Sequence, residues 1–334
     1  LELALKYLIT GAAGFVGSSI TDRLLSLGHE VIGIDCFTDY YSRSFKEANL
    51  AQARDNSKFK LIQEDLVNLA IKKDDSNLSE LHALVNSVDV IFHQAAQAGV
   101  RASWGASFNS YTHNNIFGTQ VLLEACKNAP KLKKVVYASS SSIYGNAESL
   151  PTIEKVIPAP VSPYGVSKLA AEHLMQLYAS EFNVPTISLR YFTVFGPRQR
   201  PDMAFNRWSR QALSGEAITL YGDGSQSRDF TFISDIVDAN IAAADCLFSG
   251  QVYNLGGGTQ ATVNEVLSFI EKQVGKLEIV KSERQKGDAK HTSADTKKAQ
   301  TELGFSPKVS LEQGLLAEIA WMDSLLKTDL AKHF

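Results

Sequence analysis

The feature that most constrains this chain is an ordered alternation: from Leu5 to Leu189, short apolar runs of strand length are separated by stretches with helical periodicity. Such runs suit strands buried on both faces, and the helices between them carry the chain back so that the strands lie parallel. The runs LKYLIT, EVIGID, KFKLIQ, VDVIFHQA, KKVVYASS and PTISLR are expected strands, and helices are expected to begin near Gly14, Ser76, Ser107 and Pro163. The class is therefore α/β, a doubly wound parallel sheet. After Arg190 the elements become shorter and rich in Gly, Pro, Arg and aromatics, as in YFTVFGPRQRP and LYGDGSQSRDF. Residues 1–190 are expected to form one domain and residues 191–334 a smaller α/β domain, with the chain returning to the first sheet around 229–255.

The bulk properties exclude several classes of function. With 334 residues, 44% of them hydrophobic, the chain is long enough for two ordinary domains with a sizeable core. Its 33 basic and 36 acidic residues leave a formal charge of -3, so nothing general draws it to nucleic acid or an anionic membrane. No 18-residue apolar run suggests a membrane span. Cys36, Cys126 and Cys246 are odd in number, far apart and not in metal-ligand spacing, which suits core thiols in a reducing compartment, with no metal site. No charged leader precedes an apolar stretch, so a cytoplasmic location is expected.

LKYLITGAAGFVGSSITDRLL places Gly11, Gly14 and Gly17 between an apolar strand and an amphipathic helix. In that context the first glycine serves a tight turn, the second lets the backbone approach a pyrophosphate at the positive end of the helix, and the third lets the helix sit close to the strand. The second strand ends in Asp35, where a carboxylate accepts hydrogen bonds from an adenosine ribose and repels an extra phosphate, so NAD is expected rather than NADP. The sheet is thus of the Rossmann type. Asp65, after the third strand, is either an adenine contact or an ordinary turn residue.

In PVSPYGVSKLAAEHL, Pro163 opens a helix that sets Tyr164 and Lys168 on one face, four residues apart. A phenol ionises near pKa 10, so using it as a base at neutral pH takes roughly three units of help, about 4 kcal/mol. A neighbouring ammonium and a cationic cofactor ring supply such help. The preceding strand ends in YASSSSIYG, at the carboxyl edge where open α/β sheets place ligands. It offers Ser140 as a third polar group, although spacing alone leaves Ser139 and Ser141 open.

With these motifs assembled, the chain closely resembles the extended short-chain dehydrogenase/reductase family, in particular its nucleotide-sugar epimerases and dehydratases. The likeness rests on TGAAGFVG, HQAAQAGVRASW, NNIFGT, SSIYG, the Tyr164 to Lys168 spacing, RYFTVFGPRQRPDMAF, GDGSQSRDF and GDAKHTSADTKKAQTELGFSP. It implies a catalytic Ser140, Tyr164 and Lys168. It extends the cofactor set beyond the glycines and Asp35 to Phe15, Val16, Asp65, Leu66, Gln94, Ala95, Ala96 and Tyr191, beside Tyr164 and Lys168. His93 in this family serves packing rather than chemistry.

Three departures narrow the resemblance. Dehydratases of this group carry an Asp-Glu pair after the catalytic hydroxyl, where this chain has Ser141 and Ser142. The related decarboxylases carry a Glu next to that hydroxyl, and hexose epimerases carry Asn where this chain has Thr193. The combination, with FTDYYSRSFK, most resembles UDP-glucuronate 4-epimerases; a UDP-hexose or UDP-N-acetylhexosamine 4-epimerase is the alternative, and a non-catalytic NAD(P) sensor is a reading from another class. The resemblance implies oxidation at carbon 4 to a 4-keto sugar, rotation and re-reduction. Ser141, Ser142 and Thr193 would gather around the sugar carboxylate, phosphate and nucleotide binding would fall to Arg101, Arg200, Arg207 and Arg228, not all four of which can be ligands, and Asp288 would meet the uridine. Helices near Ser107 to Asn128 and Tyr164 to Phe182 would be available for the family's usual homodimer interface.

Overall fold

The computed structural model describes residues 4–72, 79–147, 149–283, 287 and 289–334. Its strands in chain order are β1 (Lys6–Thr10), β2 (Glu30–Ile34), β3 (Phe59–Ile62), β4 (Val90–His93), β5 (Lys134–Ser140), β6 (Thr186–Tyr191), β7 (Thr193–Phe195), β8 (Ile218–Tyr221), β9 (Ser227–Phe232), β10 (Gln251–Leu255), β11 (Thr259–Thr262) and β12 (Ile279–Ser282). Seven of them form one parallel sheet in the order β10-β6-β5-β4-β1-β2-β3. The order reverses between β1 and β4, and the crevice at such a switch point, outside the carboxyl ends of the strands, is where doubly wound sheets bind ligands.

Side-chain alternation shows why the apolar runs make this sheet. Along β1, Tyr7 and Ile9 enter one core and Leu8 the other; along β4, Val90 and Phe92 oppose Ile91; along β5, Val136 opposes Val135 and Tyr137. Both faces are therefore covered, and the central strands β1, β4 and β5 read as largely apolar. The six expected strands appear with ends shifted by a residue or two, the first five trimmed and the sixth running on to Tyr191. The seventh, β10, pairs with β6 after the chain has passed through the helix Ile233–Asp245. A separate core built on Phe195, Phe205, Trp208, Leu220, Phe230 and Leu267 lies under β7, β8, β9, β11 and β12, which make two small sheets.

The helix carrying Tyr164 and Lys168 runs Pro163–Phe182. Pro163 stands where a helix needs no amide donor, the Ser162 hydroxyl accepts from Gly165 N at 3.1 Å, and Asn183 closes it in the left-handed region at φ 55°. Such a cap contributes about 1 kcal/mol. Among the described residues no helix is long and apolar enough to cross a membrane.

Several expectations need correction. The stretch from Ser107 to Asn128 is not one helix: Phe108–Tyr111 and Gly118–Cys126 are separated by a π-helical turn, Thr112–Phe117. Within it, buried Asn115 donates to Gln97 O and Ser167 Oγ and accepts from Gln97 N, so its side chain ties the turn to its neighbours where the winding is wide. FTDYYSRSFK opens a further helix, Arg43–Asn49, and another follows at Leu66–Ile71. Ser76 lies outside the described residues; the nearby helix Glu80–Asn86 is capped by Ser79. Of the three thiols only Cys126 is a core residue, since Cys36 is exposed and Cys246 half-buried. Cys36 follows β2 and lines the cleft described below, and Cys246 follows the helix Ile233–Asp245, partly buried against the core.

Candidate active site

At the switch point a cleft of 220 Å³ opens over the carboxyl ends of the strands. Its floor is the turn after β1. Gly11 has φ +70° and a Cβ there would lie 2.7 Å from Ala95 N; at Gly17 a Cβ would lie 2.1 Å from Gly11 O. These two positions take no side chain, so the helix Phe15–Ser26 sits directly on the turn. Gly14 is its N-cap, with no capping side chain and no acidic residue in the first turn, which leaves amide donors available to an anion. Asp35, at the end of β2, accepts from Ala13 N at 3.0 Å and Phe37 N at 2.8 Å, so its carboxylate is fixed at the rim. This is a cradle whose shape and donors fit a dinucleotide.

All the residues expected at the cofactor line this one cleft: Gly11, Gly14, Phe15, Val16, Gly17, Asp35, Asp65, Leu66, Gln94, Ala95, Ala96, Tyr164, Lys168 and Tyr191. Asp65 has the turn role that the sequence offered, capping the helix Leu66–Ile71 through Val67 N at 2.7 Å, and it also lines the cleft. The Tyr191 hydroxyl hydrogen-bonds Asn240 Oδ1 at 2.9 Å and Gln94 Oε1 at 3.3 Å. His93 lies behind them, fully buried between Thr10 Oγ1 (2.7 Å) and Thr119 Oγ1 (2.9 Å); burial pushes its pKa down to about 3, so it is neutral packing.

A larger cavity of 690 Å³ shares Tyr164, Tyr191, Ser139 and Arg200 with the cleft. Tyr164 stands at their junction. Burial raises its phenol above the ordinary value, opposed by a hydrogen bond from Ser140 and by the charge of Arg200. The Ser140 oxygen already accepts from Ser142 N at 3.1 Å, which leaves its proton free to donate to the phenol oxygen. Lys168 Nζ donates to Ala138 O at 2.7 Å and lies 4.9 Å over the Tyr137 ring, and burial pushes its pKa down to about 7. Ser139, by contrast, donates to Glu172 Oε2 at 2.6 Å, so the neighbour open by spacing is engaged behind the site.

Ser141, Ser142 and Thr193 line the larger cavity beside Tyr164, together with Arg101, Arg200, Arg207 and Arg228. Arg101 and Arg228 also line an adjoining 520 Å³ hollow with Tyr221, over whose ring the Arg101 and Arg207 guanidiniums lie at 4.6 and 5.8 Å. Arg228 Nη1 donates to Ser227 O and Lys290 O. Arg200 forms a fork on Asp202 (2.9 and 3.0 Å), to which the Tyr40 hydroxyl also donates. Asp288 lies outside the described residues.

Sequence reasoning missed Asp202, Tyr40 and Lys46. Lys46 lines the cleft while donating to Thr38 O, and the signal available was the run of tyrosines and cations in FTDYYSRSFK. It also missed Glu172, whose signal was its place one turn beyond Lys168 on the same face.

A Rossmann sheet with a glycine cradle, and a Tyr-Lys-Ser group between a dinucleotide cleft and a second cavity, defines a dehydrogenase-type enzyme acting on a carbinol carbon. Residues 7–256 match the model of the NAD dependent epimerase/dehydratase family, and the chain belongs to that family. It is 42% identical over 324 residues to "Uncharacterized UDP-glucose epimerase YtcB" of Bacillus subtilis, covering 96% of this chain and 99% of that one. It is 37% identical to a UDP-glucuronate 4-epimerase of Thermodesulfobacterium geofontis, over 94% of this chain and 95% of that one. Among solved structures it is similar to the UDP-glucuronic acid 4-epimerase of Bacillus cereus in complex with UDP-glucuronic acid and NAD, with TM-score 0.90 and 43% identity over 96% of this chain and 100% of that one.

Proposed function

We propose that this protein is an NAD-dependent UDP-glucuronate 4-epimerase, interconverting UDP-glucuronate and UDP-galacturonate. The observation that carries the reading is Tyr164 at the junction of the cleft and the larger cavity, with Ser141, Ser142 and Thr193 beside it instead of an acid pair. The glycine turn, Asp35 and the other cleft residues hold the cofactor; NAD, when bound, accepts a hydride from carbon 4 and gives it back. Residues 1–190 supply most of this cradle, residues 191–334 hold the nucleotide sugar together with Arg101, Ser141 and Ser142, and within 229–255 the chain returns to the large sheet through β10.

Tyr164 takes the proton of the carbon 4 hydroxyl and later returns one to the ketone. Ser140 donates to the phenolate oxygen, and Lys168 supplies the charge that offsets the burial of Tyr164. The 4-keto sugar turns over in the larger cavity, so the opposite face is reduced and configuration inverts without net oxidation. That ketone is a β-keto acid, and it loses carbon dioxide if the carboxylate bond aligns with the carbonyl π system. Ser141, Ser142 and Thr193 donate hydrogen bonds to the carboxylate and hold it out of that alignment. Phosphate and nucleotide binding falls to a subset of Arg101, Arg200, Arg207 and Arg228, and uridine binding to Asp288.

A UDP-hexose epimerase is the second reading, favoured by the name of the B. subtilis relative. Comparing turnover on UDP-glucuronate, UDP-glucose and UDP-N-acetylglucosamine separates the two; a neutral sugar turned over faster than the uronate would overturn the first. The reading includes a cytoplasmic location, which the free cysteines suit, and a homodimer. Phe117, Val166, Leu177 and Phe182 expose apolar surface on the two helical segments, which supports pairing there. Light scattering tests the pairing, and a monomer at micromolar concentration would count against it.

A further inference from the structure

Behind the proposed catalytic group lies an ion pair that touches neither cavity. Glu172 and Arg190 have 1% and 5% of their side-chain surface exposed. Arg190 Nη2 donates to Glu172 Oε1 at 2.6 Å and Nε to Oε2 at 3.0 Å, while Ser139 Oγ donates to Oε2 at 2.6 Å. The remaining guanidinium nitrogen donates to Tyr144 Oη (2.5 Å) and Glu154 O (3.0 Å), and the Tyr144 hydroxyl in turn donates to Asn254 Oδ1 (2.7 Å). One carboxylate thus joins the helix Pro163–Phe182 to β5 and β6, and through Tyr144 to β10.

We infer that Glu172, clamped by Arg190 and Ser139, is a positioning residue that sets the height of Tyr164 and Lys168 over Ser140. The inference rests on the roles proposed for those three. Glu172 follows Lys168 by four residues and Tyr164 by eight, so all three lie on one face of one helix, with Glu172 about 12 Å from Tyr164 along the axis. Its partner Ser139 lies between Ala138, whose carbonyl holds Lys168, and Ser140, which meets the phenol. Sliding the helix along β5 would therefore break the clamp and misplace both catalytic side chains together.

Stability alone gives little reason for such a pair. Buried ion pairs pay heavily in desolvation, and well-packed apolar replacements are often neutral or stabilising, whereas removing one partner is strongly destabilising. What the charges add here is direction: a forked guanidinium and a hydroxyl fix a carboxylate in three dimensions, while apolar contacts tolerate sliding. Misplacement of reacting groups by about 1 Å costs about 100-fold in rate.

The test uses Ser139→Ala and the paired Glu172→Leu/Arg190→Met, with melting temperature, KM, kcat and the primary deuterium isotope effect from carbon-4-deuterated substrate. Expected is a kcat lowered about ten- to hundred-fold in the paired variant, with melting temperature and KM near wild type and a larger isotope effect as hydride transfer becomes limiting. Ser139→Ala should show the same pattern more weakly, and it decides alone if the paired variant does not fold. Wild-type kcat in a folded paired variant, or in Ser139→Ala if that must decide, would overturn the positioning role. Tyr164→Phe serves as the separate control: if it retains turnover, the catalytic reading beneath the inference is what fails.

Discussion

Removing the charge of Lys168 while keeping its stem, as in Lys168→Met, tests the electrostatics of the site. Tyr164 and Lys168 lie one helical turn apart, with Cβ atoms about 6 Å from each other. With an effective dielectric constant of about 20, an ammonium at that distance stabilises a phenolate by about 3 kcal/mol, or about two pKa units. The wild-type phenol is already pushed up by burial, and the lysine is pushed down to about 7 by the same cause. An ammonium beside the phenol favours the phenolate. Without the ammonium, the base form of Tyr164 should become about 100-fold scarcer at neutral pH. The expected result is a kcat about 100-fold lower at pH 7, rising about tenfold per pH unit toward pH 9. The direction follows from the sign: a base whose pKa is raised is recovered by raising the pH. UDP-sugar affinity should change little. The assay is product formation by anion-exchange chromatography across that range, with melting temperature as the folding control. A loss under threefold, or a loss that does not recover with pH, would refute the charge argument.

Three further outcomes follow from the cleft and the hydroxyl cluster. Gly17→Ala places a Cβ 2.1 Å from Gly11 O, so the helix must lift; overpacking of this kind costs about 1–3 kcal/mol, and titration should find NAD affinity weakened, about 5- to 150-fold. Asp35→Asn exchanges a charge-assisted acceptor for a neutral amide, worth about 1 kcal/mol, so NAD should bind about fivefold more weakly while NADP gains, as read by competitive fluorescence titration. Thr193→Ala should raise the pentose by-product from UDP-glucuronate, or raise KM about fivefold through one lost hydrogen bond, without affecting any neutral-sugar turnover; an unchanged product ratio and KM would remove Thr193 from carboxylate binding.

Much of this was legible in the sequence because the signals were short-range. A strand buried on both faces must be apolar along its length, so LKYLIT and KKVVYASS announced β1 and β5. Gly11 and Gly17 announced a turn where a Cβ finds no room. What stayed hidden depends on residues distant in the chain. Four consecutive serines are indistinguishable until the strand and helix are docked; only then does Ser139 meet Glu172, 33 residues away, while Ser140 meets Tyr164. Arg190 ends the apolar run PTISLR, and nothing local reveals that a carboxylate 18 residues earlier neutralises it. The π-helical turn at Thr112–Phe117 escaped for the same reason, since Asn115 acts through Gln97 and Ser167. Arg200 was legible as a cation near the substrate, but not its fork on Asp202.

Transient oxidation at carbon 4 is tested most directly by the fate of the carbon-4 hydrogen. UDP-glucuronate deuterated at that carbon, incubated with the protein and followed by proton NMR, should give UDP-galacturonate with deuterium retained at carbon 4 and no accumulation of pentose. Loss of the label to solvent, or failure of the uronate to epimerise while a neutral UDP-sugar does, would contradict the account.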